Sequence, residues 1–196
     1  MIIVSSKKKD GVWYNVATQN DQILFTYVSF GEQDLKHIVR RLLHDAPFQI
    51  AKRPDQLQAK ALDALEEMFM GKDRGSYGFK INMNNLSSHR QKVLNCTRMV
   101  PVGYVTTYGA LSKAAGGSAR SVGHVQATNP VPLLIPCHRV VRADLTVGGY
   151  GGGPKVKLEI LHREERGYEK SKKIAVEGKE LALFPVEWVK PNRESV

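Results

Sequence analysis

The segment Pro136-Cys137-His138-Arg139 places a thiol beside an imidazole and a guanidinium. Val131-Pro132-Leu133-Leu134-Ile135 leads into it, and a glycine-rich run from Gly148 to Gly153 follows. The apolar lead implies a buried segment. Only the thiolate of a cysteine is a good nucleophile, and a neighbouring base or cation raises its population. Each pKa unit of lowering takes about 1.4 kcal/mol of preferential thiolate stabilisation, and His138 and Arg139 can supply part of it. Histidine exchanges a proton near neutral pH and works best when a carboxylate fixes its other ring nitrogen. Glu164, Glu165 and Asp144 are the candidate carboxylates, and spacing does not choose among them. Adjacent side chains of an extended segment point to opposite faces. Cys137 and His138 should therefore communicate through a sharp backbone turn or a bridging water.

Other chemistries fit less well. The two cysteines, Cys96 and Cys137, have no Cys-x-x-Cys spacing, and His-Glu-x-x-His is absent, so no metal site is expected. Cys96 sits in a helical pattern and reads as a small buried hydrophobe. One bridge at most cannot make a disulfide scaffold, which points to a reducing interior. The run Gly148-Gly149-Tyr150-Gly151-Gly152-Gly153 matches neither a dinucleotide fingerprint nor a P-loop, since Pro154 stands where the lysine should be. Its glycines instead let backbone lie close to a flat ligand. No apolar run approaches the roughly 20 residues of a membrane span, and Met1 to Asp10 lacks the apolar core of a secretory signal.

These residues need positioning elements. In a chain of 196 residues with 42% hydrophobic content, Val12–Val16 and Ile23–Val28 read as strands joined at Asn20-Asp21. Leu35, Ile38, Val39, Leu42 and Leu43 repeat at helical spacing, and a second helix spans about Gln56 to Met70, with Leu57, Ala61, Ala64, Leu65 and Met68 inward and Gly71 closing it. A turn-rich stretch, Gly75 to Asn85, divides this part from the next. Helices follow over Ser87–Met99, Tyr108–Ala115 (capped by Thr107), Ala119–Ala127 and about Lys155–Arg166. In Ala119–Ala127, Ala119, Val122 and Val125 form an apolar stripe, while Arg120, Ser121 and His124 face elsewhere. Ile174–Val176 and Leu181–Phe184 suggest a terminal hairpin. The expected architecture is an α/β N-terminal domain over residues 1–85, a small antiparallel sheet with helices. A mostly α C-terminal domain follows over residues 86–196, with a helix-turn-helix and a tail at 168–196.

The net charge is +10, and it divides unevenly: residues 1–85 carry 12 basic and 10 acidic side chains, residues 86–196 carry 17 and 9. The half that holds the thiol is the basic half, which attracts polyanions, nucleic acid first; a basic surface with no dedicated partner fits the charge equally well. Two short helices about the turn Gly116-Gly117-Ser118 resemble a DNA-binding helix-turn-helix; as an isolated pattern, an ordinary helical hairpin is commoner.

Pro132-Leu133-Leu134-Ile135-Pro136-Cys137-His138-Arg139-Val140 resembles the active-site signature of the O6-alkylguanine-DNA alkyltransferases. Arg120-Ser121-Val122-Gly123 stands at that family's recognition-helix motif and Asn129-Pro130 at its hinge asparagine. Thr107-Tyr108 stands at its helix-turn-helix tyrosine and Tyr150-Gly151-Gly152 at its substrate loop. The resemblance is close over about Ser87 to Gly167 and general over the first 85 residues.

The resemblance implies DNA repair by irreversible, single-turnover transfer of an alkyl group from O6-alkylguanine, with O4-alkylthymine as a further substrate, onto Cys137. It implies His138 as base through a water, Glu164 orienting it with Glu165 as second choice, Tyr108 as donor to the leaving guanine, and Asn129 as the tie between recognition helix and active-site segment. Arg120 would fill the space of the extruded base, and Tyr108, Gly109, Ser121, Gly123 and Ala127 would meet the minor groove. Pro132, Val140, Tyr150 and Gly151 would form the substrate pocket. The partner is duplex DNA carrying the lesion, met by a monomer without cofactor or metal, in a prokaryotic cytoplasm or a eukaryotic nucleus. His124 departs from the small residues usual in that helix. Alternative readings are an alkylation-sensing regulator, a lesion-binding protein without transfer, and a cysteine hydrolase; family relatives that bind without transfer lack the cysteine.

Overall fold

Alternating apolar residues and tight turns build the first sheet. In the computed structural model, which describes residues 1–30, 39, 46–72 and 78–192, strands β1 (Ile2–Lys9), β2 (Val12–Gln19) and β3 (Gln22–Phe30) form an antiparallel meander. Both connections are two-residue turns with positive φ at each position, Asp10-Gly11 and Asn20-Asp21. That is the hairpin geometry whose twist matches the strands, and Asp, Asn and Gly tolerate it. A short strand β4 (Phe48–Ile50) adds to β1 in parallel, giving the order β3-β2-β1-β4. The sheet is therefore mixed rather than purely antiparallel. The expected helix through Leu35–Leu43 lies outside the described residues except for Val39, which is buried.

Helix α1 (Gln56–Phe69) starts at a capping box between Asp55 and Gln58. It buries Ala61, Leu62, Ala64, Leu65 and Met68, with Leu57 at the margin. Gly71 ends it in a left-handed conformation, where a Cβ would strike the Arg163 carbonyl. Only glycine allows that approach.

Beyond residue 85, helix α2 (Ser88–Arg98) is capped by Ser87, and strand β5 (Tyr104–Thr107) leads into α3 (Tyr108–Ala115) and α4 (Ala119–Ala127). A 3-10 turn (Cys137–Arg139), strand β6 (Val140–Val141) and helix α5 (Pro154–Arg163) follow. The chain closes with β7 (Lys172–Val176), β8 (Lys179–Pro185) and a 3-10 turn at Val186–Trp188. This half is less helical than its sequence suggests, because β8 pairs with β5 and completes a second sheet of order β6-β5-β8-β7. The terminal hairpin is local and legible; its docking on β5 joins residues some eighty positions apart.

One apolar cluster holds residues from both halves, among them Tyr14, Val16, Leu65, Leu94, Leu111, Val122, Val131 and Ile135. Hydrogen bonds also cross between halves. Thr26 donates its N–H to Pro130 O (3.0 Å) and its hydroxyl to Pro132 O (2.8 Å). Strand β3 thus backs the segment that leads to Cys137. No helix among the described residues is long and apolar enough to cross a membrane.

Candidate active site

Cys137 opens the 3-10 turn, with Arg139 N–H bonded to Pro136 O (2.9 Å) and Val140 N–H to Cys137 O. The segment expected to be extended is instead a tight turn at Cys137. Cys137 is only 6% exposed. Burial pushes its thiol pKa up, against the pull of the Asn129 side chain, the Lys157 charge and nearby backbone N–H groups.

His138 and Glu164 are fully buried, and His138 Nε2 lies 3.0 Å from Glu164 Oε1. A carboxylate only accepts hydrogen bonds, so Nε2 carries the proton and Nδ1 holds the lone pair. Nδ1 is buried with no hydrogen-bond partner among the described residues. Burial lowers the His138 pKa despite the Glu164 charge, so the ring is neutral and its Nδ1 lone pair is open to accept a proton. Glu164 occupies the C-cap of α5, where the helix end aims it inward. Arg139 clamps it from the other side through Nε (2.9 Å to Oε2) and a terminal nitrogen (2.7 Å to Oε1), and reaches Val100 O at 2.8 Å. Burial alone would raise the Glu164 pKa; His138 and Arg139 outweigh it and bring it down to about 2. Glu165, the second choice, pairs with His162 on the surface at 2.6 Å. Asp144 binds the N–H and hydroxyl of Thr146 within its own loop.

Asn129 bridges two segments. Its amide donates to Ile135 O (2.9 Å) and its oxygen accepts from Val131 N–H (3.0 Å). Asn129, Pro132, Cys137, Tyr150 and Gly151 line one cavity of about 730 Å³, whose other wall is β3 from Leu24 to Phe30. Val140 and Tyr108 are not part of that lining. The Val140 carbonyl is held instead by Lys157 Nζ (2.7 Å), which also reaches Gly149 O at 3.2 Å. Tyr108 begins α3, and a Cβ built on Gly123 or Gly148 would come within 4.0 Å of its ring, so the ring lies near both the second helix and the glycine-rich loop. Burial raises the pKa values of Tyr108 and Tyr150, keeping both phenols protonated.

The α3–α4 turn places two glycines at positive φ, and a Cβ on Gly117 would lie 2.7 Å from both His89 and Ser121. Val122, Val125 and Gln126 form the inner face of α4. Ala119, expected inward, is exposed together with Ser118 and Arg120 at the start of α4. Arg120, His124 and Ala127 are exposed on the outer face, with Ser121, Gly123 and Gly109 half-buried. The Ser121 hydroxyl serves the capping box with Ser118 (Ser118 N–H to Oγ 3.0 Å).

Lys157 escaped the sequence reading, although a signal was present. It stands three and four residues before Ile160 and Leu161, on the buried face of α5. Burial lowers its pKa to about 8; the Cys137 thiol group opposes that shift and Arg142 adds to it. The anchoring role of Arg139 on Glu164 was also missed, since a pair 25 residues apart leaves no local trace.

Cys137 thus lies buried beside a histidine–carboxylate–arginine network. Residues 88–166 match the family model for the 6-O-methylguanine DNA methyltransferase DNA-binding domain. The chain is 34% identical over 129 residues to a DNA base-flipping protein of Thermus thermophilus, covering 64% of this chain and 86% of that one. It is 35% identical over 112 residues to a methylated-DNA–protein-cysteine methyltransferase of Methanothermobacter thermautotrophicus, covering 57% and 63%. The crystal structure of O6-methylguanine-DNA methyltransferase from Pyrococcus kodakaraensis superposes with TM-score 0.64 at 26% identity, covering 84% of this chain and 99% of that one. The chain belongs to the O6-methylguanine DNA methyltransferase family. It spans 44–63% of the length of four curated methyltransferases that it matches.

Proposed function

We propose that the protein repairs duplex DNA by moving the alkyl group of O6-alkylguanine onto Cys137, once per molecule. The observation that carries this reading is the buried Cys137 turn next to a neutral His138 whose Nε2–H is fixed on Glu164. The thiol proton passes to His138 Nδ1 through a water. The thiolate then attacks the alkyl carbon, the carbon–O6 bond breaks, and its electron pair stays on the guanine. Tyr108, as a phenol, donates toward the leaving base, and the proton lost from sulfur ends on the purine. The product is a neutral thioether, which is a poor leaving group, and Cys96 is buried inside α2 and offers no second nucleophile.

A paired guanine hides O6 in the stack, so the nucleotide must be extruded at a cost of a few kcal/mol. The reading places α3 and α4 as the helix-turn-helix, with Arg120 filling the vacated space and Gly109, Ser121, Gly123 and Ala127 keeping that face small. Asn129 holds the end of α4 to the active-site segment. Pro132, Tyr150 and Gly151 enclose the alkyl group and base, and backbone at Val140 borders them. O4-alkylthymine is accepted by the same chemistry, and the working unit is a monomer of two functional halves, residues 1–85 and 86–196.

The test uses a duplex carrying O6-[³H-methyl]guanine. Stoichiometric label on the Cys137 peptide supports transfer. Binding without transfer makes the chain a lesion-binding protein, and catalytic release of methyl makes it a hydrolase.

A further inference from the structure

The family match ends at residue 166, yet the chain beyond it reaches back to two points of the site. Glu187 Oε1 accepts three consecutive backbone N–H groups, those of Arg166 (2.8 Å), Gly167 (2.6 Å) and Tyr168 (3.1 Å). These begin two residues after Glu164, so one carboxylate fixes the chain just beyond the residue that orients His138. Burial works against ionisation of Glu187, but backbone N–H donors, its own and those of Arg166, Tyr168 and Gly167, prevail and its pKa lies below the ordinary value.

The second point is the glycine-rich loop. Lys190 pairs with the stretch before it, donating to Leu145 O (2.9 Å) and accepting from Val147 N–H (2.9 Å). Asn192 Oδ1 then accepts from Gly148 N–H at 3.0 Å. Gly148 has φ +70°, and a Cβ there would lie 3.5 Å from the Tyr108 hydroxyl. Gly149 O, the next carbonyl, is held by Lys157. Asn192 therefore sets the first residue of the loop against the phenol that faces the base.

We infer that the segment Glu187–Asn192 is a positioning part of the alkyl-transfer site, with Glu187 holding the base side through Glu164 and Asn192 holding the substrate side through Gly148 and Tyr108. The inference rests on the proposed transfer reaction. It predicts that the two residues fail differently, because thiol activation needs only the His138–Glu164 pair while transfer from DNA also needs the loop.

The experiment compares full-length wild type, Asn192→Ala, Asn192→Asp, Glu187→Ala and Glu187→Gln in two single-turnover reactions. One is methyl transfer from saturating O6-methylguanine duplex; the other is trapping of Cys137 by iodoacetamide, read on the Cys137 peptide across pH. Asn192→Ala should slow transfer about fivefold, the loss that one hydrogen bond supports, and leave trapping unchanged; Asn192→Asp, which keeps the acceptor, should restore transfer. Glu187→Ala should slow both reactions and move the pH profile of trapping, and Glu187→Gln should do so less while keeping the fold. Wild-type rates in both variants, or parallel loss of both reactions with the folding transition, overturn the inference. A wild-type chain that traps iodoacetamide but takes no methyl from DNA overturns the repair reading instead, and the Glu187 arm still reports on the base side.

Discussion

Replacing Lys157 with methionine removes a buried ammonium while keeping the length of the side chain. The wild-type group has a pKa of about 8 against 10.5 in its ordinary state. At about 1.4 kcal/mol per pKa unit, that difference is about 3 kcal/mol of penalty for the charged form in the folded protein. The sign follows from proton linkage. Below about pH 8 both folded and unfolded chains hold the proton, and the full penalty stands. Between about 8 and 10.5 the unfolded chain binds more protons, so stability rises with pH, and above that the contribution levels off. Urea unfolding from pH 7 to 10.5 should therefore show wild type gaining about 3 kcal/mol relative to Lys157→Met. For a chain of this length that is roughly 6–12 °C in melting temperature. The variant also frees the carbonyls of Val140 and Gly149, which costs about 1–3 kcal/mol per unsatisfied group at every pH and shifts its curve without tilting it. Parallel curves for the two proteins across this range would refute the placement of a buried ammonium in the site.

Three further outcomes test the network and the surface. Glu164→Gln should cost about 3 kcal/mol at neutral pH, from the fall of the carboxyl pKa from 4.5 to about 2; because a depressed carboxyl stabilises above its unfolded pKa, the gap to wild type should close as denaturation is followed from pH 4.5 down to 2. Cys137→Ser should abolish methyl transfer while the affinity for duplex, read by fluorescence anisotropy, stays within about twofold; surviving transfer would mean another nucleophile. Arg120→Ala should slow transfer from duplex at least tenfold more than reaction with the free base O6-benzylguanine, measured by mass shift, since only the duplex needs extrusion. Equal losses on both would remove Arg120 from that role.

Much of the fold was legible where its causes are local. Asn20-Asp21 announced a hairpin, and Thr107 and one of Ser87 and Ser88 announced helix starts; the structure makes Ser87 the cap. What the sequence hid is non-local. Strand β4 is three residues long and owes its existence to β1, and β8 finds β5 across the whole second half. The site divides along the same line. Cys137 and His138 announce themselves by adjacency, but the choice of Glu164 over Glu165 depends on which residue the last turn of α5 points inward. Ala119 had the spacing of a core residue and lacked neighbours to cover it. Lys157 had the spacing too, and its charge argued against a burial that two backbone carbonyls make tolerable.

Burial of Cys137 has a bearing on how long the molecule stays usable. A thiol raised above its ordinary pKa and nearly closed to solvent is almost entirely protonated at neutral pH. Peroxide and other oxidants react with thiolates that they can reach, and oxidation past the sulfenic acid is not readily reversed. In the proposed single-turnover reaction, an acceptor gains from being inert while it waits. Cys137 should outlast an exposed cysteine of ordinary pKa in dilute peroxide.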